Sequence, residues 1–148
     1  MFNLLKKFFF YFEKKIAKHF LRNAINRAFY KKDIIGYIYD NISLDILFEG
    51  EYEREYQIKA FEFLKKYLGE LDTFIDVGAN IGTTVFHSHP YFKKIYSIEA
   101  YFKTFQILKL NTAEYSNVKI INQTVSNIVK DTELIAGENF MCGASISD

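Results

Sequence analysis

The sequence predicts an α/β fold in which three parallel strands alternate with helices. Residues 73–77 form a short apolar strand that runs into a glycine-containing turn, and residues 83–88 can begin a helix after it. Residues 94–100 predict a second buried strand, followed by a helical stretch at 102–110 and a third strand at 117–122. Strands and helices in this order build a parallel sheet.

Length and composition fit one globular domain. The chain has 148 residues, of which 49% are hydrophobic and 25% charged, and this excludes a disordered or collagen-like polymer. No apolar run reaches the length of about 18 residues that a membrane-spanning helix needs. The single cysteine, Cys142, allows no internal disulfide, which favours a reducing compartment and predicts a cytoplasmic location.

Residues 1–32 form a basic arm that we expect to be a separate unit from residues 33–148. The arm carries nine basic side chains and one acidic one, a formal charge of +8, whereas the remainder carries −7. At about 100° per residue the arm is an amphipathic helix with opposed basic and apolar sides. The basic side holds Lys7, Lys14, Lys15, Lys18 and Arg22, and the apolar side holds Phe8, Phe9, Phe12, Ile16, Ala17 and Phe20.

Three partners suit such an arm. Aromatic rings opposite lysines are typical of a helix at an anionic membrane interface, which would make the protein membrane-peripheral. A helix docked on its own domain, or on a second subunit of a homo-oligomer, is slightly favoured over that interpretation. Nucleic acid is the weakest option because no base-reading motif accompanies the charge.

Between the arm and the first strand the pattern predicts a hairpin and a helix. Apolar and polar residues alternate over 37–48 and are broken at Asp40 and Asn41, which predicts two short strands around a turn. Residues 52–68 return to helical spacing between Gly50 and Gly69. The predicted buried face of this helix consists of Tyr56, Ala60, Phe63, Leu64 and Tyr67.

The turn after the first strand has the residues of a nucleoside-binding site. Glycine lets a ligand approach the main chain, and Glu99, which ends the second strand 21 residues after Gly78, can accept both ribose hydroxyls. The Gly78-x-x-x-Gly82 spacing differs from the Gly-x-Gly-x-x-Gly of dinucleotide sites, and Asp76 would repel a phosphate. A nucleotide-dependent oxidoreductase is therefore disfavoured. Asp76 suits a cationic ammonium or sulfonium group, as in S-adenosyl-L-methionine.

The motifs 76–82 and 97–100 resemble the methyl-donor site of class I methyltransferases and, more narrowly, the FkbM family. The resemblance covers about residues 36–148, and Ala100 departs from it because the family usually has proline there. Further matching stretches are Gly50–Glu53, Leu108 with Asn111, Asn117–Val118, Val125–Ser126 and Gly143–Ser145.

The resemblance implies a Rossmann-like fold, S-adenosyl-L-methionine as cofactor, and methyl transfer to an oxygen of a sugar, glycan or similar small acceptor. By carry-over, Asp76, Gly78, Asn80 and Gly82 contact the methionine and ribose parts, Glu99 the ribose hydroxyls, and Asn122 the neighbourhood of adenine. The alternative is that Asp76 and Asn80 are turn and cap residues, and a turn role is equally supported for Asn122. Asn111 is better explained as a helix C-terminal residue.

The remaining reactive side chains predict no second site. His87 and His89 lack nearby acidic or cysteine partners, so we predict a solvated helix end and no metal site. Cys142 lies in a predicted loop without a base beside it in sequence, which disfavours a catalytic thiol.

The family's sheet has seven strands, whereas residues 72–148 accommodate about three strand–helix units, with 129–137 as one arm of a hairpin. We therefore expect residues 33–148 to be a partial methyltransferase domain, truncated after the third parallel strand, with no assigned catalytic residue. The alternative is a non-catalytic remnant that acts as a membrane-surface or protein-interaction module.

Overall fold

The chain divides into two compact units. A computed structural model describes residues 2–27, 34–37, 40–128, 134–137 and 140–146. The first unit comprises Met1–Lys32 and Asn41–Tyr52, and the second comprises Asp33–Asp40 and Glu53–Asp148.

The first unit is helical. Helix α1 spans Phe2–Arg27 and lies against α2, which spans Asn41–Glu49 and buries Ile46. The helix predicted for the arm is thus confirmed. None of the helices in the described part of the chain is long and apolar enough to cross a bilayer.

The hairpin predicted over residues 37–48 is wrong, because residues 41–49 form α2. Ile42 and Ile46 are four residues apart, so the pair that suggested strand alternation also shares one helix face. Leu47 breaks the alternation, and Gly50, with φ at 87°, ends the helix by donating its N–H to the Ile46 carbonyl at 3.0 Å. Tyr37 lies outside any strand, and residues 38–39 are outside the described residues.

The second unit confirms the predicted α/β order. Its elements are α3 (Arg54–Leu68), β1 (Leu71–Val77), α4 (Thr83–Ser88), β2 (Phe92–Ile98), α5 (Phe102–Asn111) and β3 (Val118–Ile121). The three strands are parallel in the order β1-β2-β3, a Rossmann-like β-α-β-α-β arrangement. The register pairs Asp76 with Ser97 and Ile98 with Ile121, which brings the carboxyl ends of the strands to one edge.

After the parallel sheet the chain forms an antiparallel hairpin of β4 (Leu134–Gly137) and β5 (Phe140–Ile146). The predicted hairpin arm at 129–137 is confirmed over Leu134–Gly137, and residues 129–133 lie outside the described residues. Cys142 belongs to β5, so the loop expected around it is wrong.

An aromatic cluster fixes α3 to the sheet. Phe61 is buried with its ring centroid 5.6 Å from that of Phe74 and 5.5 Å from that of Phe92. The predicted face of α3 is wrong, because Tyr56 and Tyr67 are 79% and 64% exposed. Aromatic residues occur on two sides of this helix, and only the packing against β1 and β2 decides which side is buried.

A second cluster lies under the glycine turn. Ala79, Val85 and Leu108 are buried together, which joins the turn after β1 to α4 and α5. The turn therefore rests on a packed base.

Candidate functional site

The turn after β1 is hydrogen-bonded to the end of β2. Both Gly78 and Ala79 donate their N–H groups to the Ile98 carbonyl, at 2.9 and 3.0 Å. Gly78 and Asn80 have φ values of 80° and 49°, so the chain reverses sharply through left-handed conformations. The carboxyl ends of β1 and β2 are thereby held side by side, where ligands bind in open α/β sheets.

The two glycines of the turn have different surroundings. A Cβ on Gly78 would meet no atom within 4 Å, so the main chain there borders open space that a ligand can approach. A Cβ on Gly82 would lie 3.0 Å from Leu108 Cδ1 and 3.2 Å from Thr112 Cγ2. Gly82 therefore allows close packing against α5, and the ligand contact expected of it stays a prediction.

Glu99 joins the glycine turn to the loop after β2. One carboxylate oxygen accepts the N–H of Asn80 at 3.0 Å, and the other accepts the N–H of Tyr101 at 2.8 Å. The side chain is 9% exposed. A carboxylate can accept about four hydrogen bonds, so each oxygen keeps a lone pair for a ligand hydroxyl.

Asp76 is as buried as Glu99, at 9% exposed, but its Oδ2 has no hydrogen-bond partner among the described residues. The same holds for the Oγ of Ser97, its register neighbour on β2. Burial first, and then the negative charge of Glu99, raises the pKa of Asp76 to about 6. Because buried polar atoms are normally hydrogen-bonded, an unpartnered carboxylate oxygen at a ligand-binding edge points to a ligand donor.

Asn122, predicted near adenine, positions the loop after β2. Its Nδ2 donates to the carbonyls of Glu99 at 2.8 Å and Ala100 at 3.0 Å. These bonds hold the main chain at Glu99 and directly after it. The adenine contact stays a prediction.

Asn111, the last residue of α5, braces the site from the other side. Its Nδ2 donates to the carbonyls of Ile35 at 2.9 Å and Ile81 at 2.8 Å, and its Oδ1 accepts the N–H of Ile35 at 2.9 Å. The Tyr37 hydroxyl lies 3.1 Å from Thr104 Oγ1 on the same helix. These hydrogen bonds tie residues 34–37 to the glycine turn. The sequence did not predict them, although Asn111 is one of the positions that match the family resemblance.

His87 in α4 and His89 directly after it are not a solvated helix end, so that prediction is wrong. His87 is buried, its Nδ1 lies 2.8 Å from Gln57 Oε1, and burial together with the charge of Arg54 lowers its pKa to about 4. His89 stacks on Tyr115 with ring centroids 4.1 Å apart. In the described part of the chain no group of three or more His, Cys, Asp or Glu side chains could hold a metal ion.

No protein-family model matches this chain, and no similar curated protein was found. Several solved structures resemble it in fold. One is a protein from Methanococcus maripaludis assigned as an S-adenosyl-L-methionine-dependent methyltransferase; it is 19% identical, with a TM-score of 0.47 over 66% of this chain and 48% of that one.

Two further solved structures are similar. An S-adenosylmethionine-dependent methyltransferase from Clostridium acetobutylicum is 14% identical, with a TM-score of 0.46 over 60% of this chain and 37% of that one. CalS10, an amino pentose methyltransferase from Micromonospora echinaspora, is 10% identical, with a TM-score of 0.44 over 60% of this chain and 35% of that one. The chain thus spans less than half of each of these three proteins.

Proposed function

We propose that the second unit binds S-adenosyl-L-methionine and is the donor-binding part of a methyltransferase. The observation that carries the proposal is the pairing of two buried carboxylates at neighbouring strand ends. Glu99 is held by backbone N–H groups, and one oxygen of Asp76 has no hydrogen-bond partner among the residues that the structure describes. Two carboxylates beside open space over Gly78 favour a ligand that is cationic and carries hydroxyls, and they repel a phosphate.

Different residues would bind different parts of the ligand. Asp76 would accept a hydrogen bond from the ammonium group of the methionine part, and the remaining lone pairs of Glu99 would accept the ribose hydroxyls. Asn80 and Asn122 would keep Glu99 in place through the main chain. When bound, the cofactor supplies a methyl group activated by its sulfonium charge.

The finer proposal is an FkbM-like O-methyltransferase that acts on a sugar, glycan or similar small acceptor. It rests on the motif resemblance over residues 76–82 and 97–100. It is tested by incubating the protein with methyl-labelled cofactor and a panel of sugars and non-sugar acceptors. Label on a sugar hydroxyl is expected. Label only on non-sugar acceptors, or no label from a folded protein that binds the cofactor, would contradict it.

Calorimetric titration with S-adenosylhomocysteine and with adenosine tests the donor site. Asp76→Asn is expected to weaken the binding of S-adenosylhomocysteine by about tenfold, which corresponds to one charge-assisted hydrogen bond. The binding of adenosine should be unchanged, because adenosine lacks the ammonium group. Glu99→Gln is expected to weaken both ligands.

The matched control is Asp72→Asn, because Asp72 lies on the same strand with its side chain 78% exposed. Circular dichroism establishes that each variant is folded. Two results with the folded wild-type chain would overturn the proposal: no binding of S-adenosylhomocysteine, or binding of NAD instead. The absence of binding would favour the non-catalytic module.

A further inference from the structure

The first unit presents an aromatic surface on α1. The rings of Phe8, Phe9, Phe10, Tyr11 and Phe12 are 54% to 67% exposed, and Phe20 is 64% exposed. Soluble proteins rarely expose contiguous apolar patches of this kind unless the patch contacts a partner or a membrane.

The exposed rings are concentrated on one side of the helix. With about 100° per residue, Phe8, Phe9, Phe12, Ile16 and Phe20 fall within an arc of roughly 120°, which we call the aromatic face. Phe10 and Tyr11 lie outside this face, and Lys15 Nζ lies 6.0 Å from the centroid of the Tyr11 ring.

The opposite side of α1 is cationic. Lys7, Lys14, Lys15, Lys18 and Arg22 share an arc of roughly 100°, and all five are exposed. Glu13 is the only acidic residue of the helix. Long basic side chains at the border of an apolar face can bury their methylene stems while their charges stay in water at the headgroup level.

We propose that α1 is a membrane-docking helix that lies flat in the interface of an anionic lipid bilayer, with its aromatic face among the acyl chains and its lysines on the headgroups. The charge of the arm is complementary to anionic lipid, and the aromatic face supplies the apolar area that an interfacial helix buries. The proposed contact is peripheral, with the helix axis in the plane of the bilayer. This inference is independent of the donor site.

Co-sedimentation of the full chain with vesicles tests the proposal. We expect binding to phosphatidylcholine vesicles that contain phosphatidylserine, weaker binding to phosphatidylcholine alone, and loss of binding as salt rises because added ions screen the attraction. Phe9→Ser with Phe12→Ser should reduce binding at least about tenfold, since two rings leave the apolar region.

The matched control is Phe10→Ser with Tyr11→Ser, which removes two rings from the same run but outside the aromatic face, and it should change binding less than about threefold. Lys14→Glu with Lys18→Glu should reduce binding to anionic vesicles by about tenfold or more. Circular dichroism and thermal unfolding show that each variant still folds.

Several outcomes would overturn the proposal. These are equal losses in the two ring variants, equal binding to neutral and anionic vesicles, or no vesicle binding by the folded chain. Self-association that disappears in Phe9→Ser with Phe12→Ser would instead identify a second copy as the occupant of the aromatic face, and tight duplex DNA binding without vesicle binding would identify nucleic acid.

Discussion

The ends of β1 and β2 carry carboxylates that are equally buried but differently bonded. Glu99 accepts two backbone N–H groups, whereas Oδ2 of Asp76 accepts none from the described residues. Glu99 links the glycine turn to the loop after β2, whereas Asp76 is buried where its negative charge is unfavourable. Two carboxylates with the same burial therefore differ in their hydrogen bonds, and it is the unpartnered oxygen that suggests a role in ligand binding for Asp76.

The difference between the two carboxylates should be largest in the free energies of unfolding of two isosteric variants. At pH 8 Asp76→Asn should raise the free energy of unfolding by about 2 kcal/mol, because the folded state no longer buries an unpaired charge. Glu99→Gln should lower it by about 2 kcal/mol, because one charge-assisted hydrogen bond is lost. Urea unfolding measures both, and changes of the same sign would break the comparison.

The Asp76 effect has a defined pH window. Its pKa is raised from 3.8 to about 6 in the folded protein, so the folded state holds the proton more strongly and stability falls as pH rises from about 4 to 6. The stabilisation by Asp76→Asn should thus disappear below pH 4.

The two glycines extend the comparison to the turn between the strand ends. Gly82→Ala should destabilise the fold by about 3 kcal/mol, from its left-handed conformation and the contacts with Leu108 and Thr112. Gly78→Ala should lower the stability by about 1 kcal/mol, from conformation alone. It should nevertheless weaken the binding of S-adenosylhomocysteine more than Gly82→Ala does. Thermal unfolding and titration measure the two effects, and stronger ligand loss in Gly82→Ala at equal fold content would contradict the assignment.

His87 titrates in the opposite sense to Asp76. Its pKa falls from 6.5 to about 4 on folding, so the unfolded chain takes up a proton first and stability is lost as pH falls from 6.5 to 4. His87→Asn should remove about 2 kcal/mol of this acid-dependent loss. Unfolding curves across that window measure it, and an unchanged slope would show that His87 is not the titrating group.

The smallest expected effects concern the two asparagines that brace the site. Asn111→Ala removes three hydrogen bonds and should cost about 1.5 kcal/mol, and Asn122→Ala removes two and should cost about 1 kcal/mol. Hydrogen exchange should show faster exchange of the Ile35 amide in Asn111→Ala only. Faster exchange of the Ile35 amide in both variants would mean that the hydrogen bonds of Asn111 and Asn122 do not act independently.

The sequence predicted the parallel sheet because its strands are compact apolar runs bounded by glycine, asparagine and charge. It failed for α2, whose apolar residues fit strand and helix spacing alike. For α3 it predicted the helix but not the buried face, because packing selects Phe61 over the more numerous rings on other sides. In the candidate site, the sequence placed Asp76 and Glu99 at neighbouring strand ends, as the structure does, and their contact with a ligand stays a prediction. Their different bonding depends on where backbone N–H groups point, and the Asn111 brace joins residues 76 positions apart, so neither could be predicted from local pattern.

The affinity for S-adenosylhomocysteine as a function of pH tests the role of Asp76 most directly. Since Asp76 protonates with a pKa of about 6, affinity should fall by roughly tenfold between pH 7.5 and 5 in the wild-type protein. In Glu99→Gln the fall should move to lower pH, because the charge of Glu99 helps to raise the pKa of Asp76. In Asp76→Asn the affinity should be weak and independent of pH over that range. A pH-independent affinity in the folded wild-type protein, or a pH dependence that survives Asp76→Asn, would contradict the role assigned to this carboxylate.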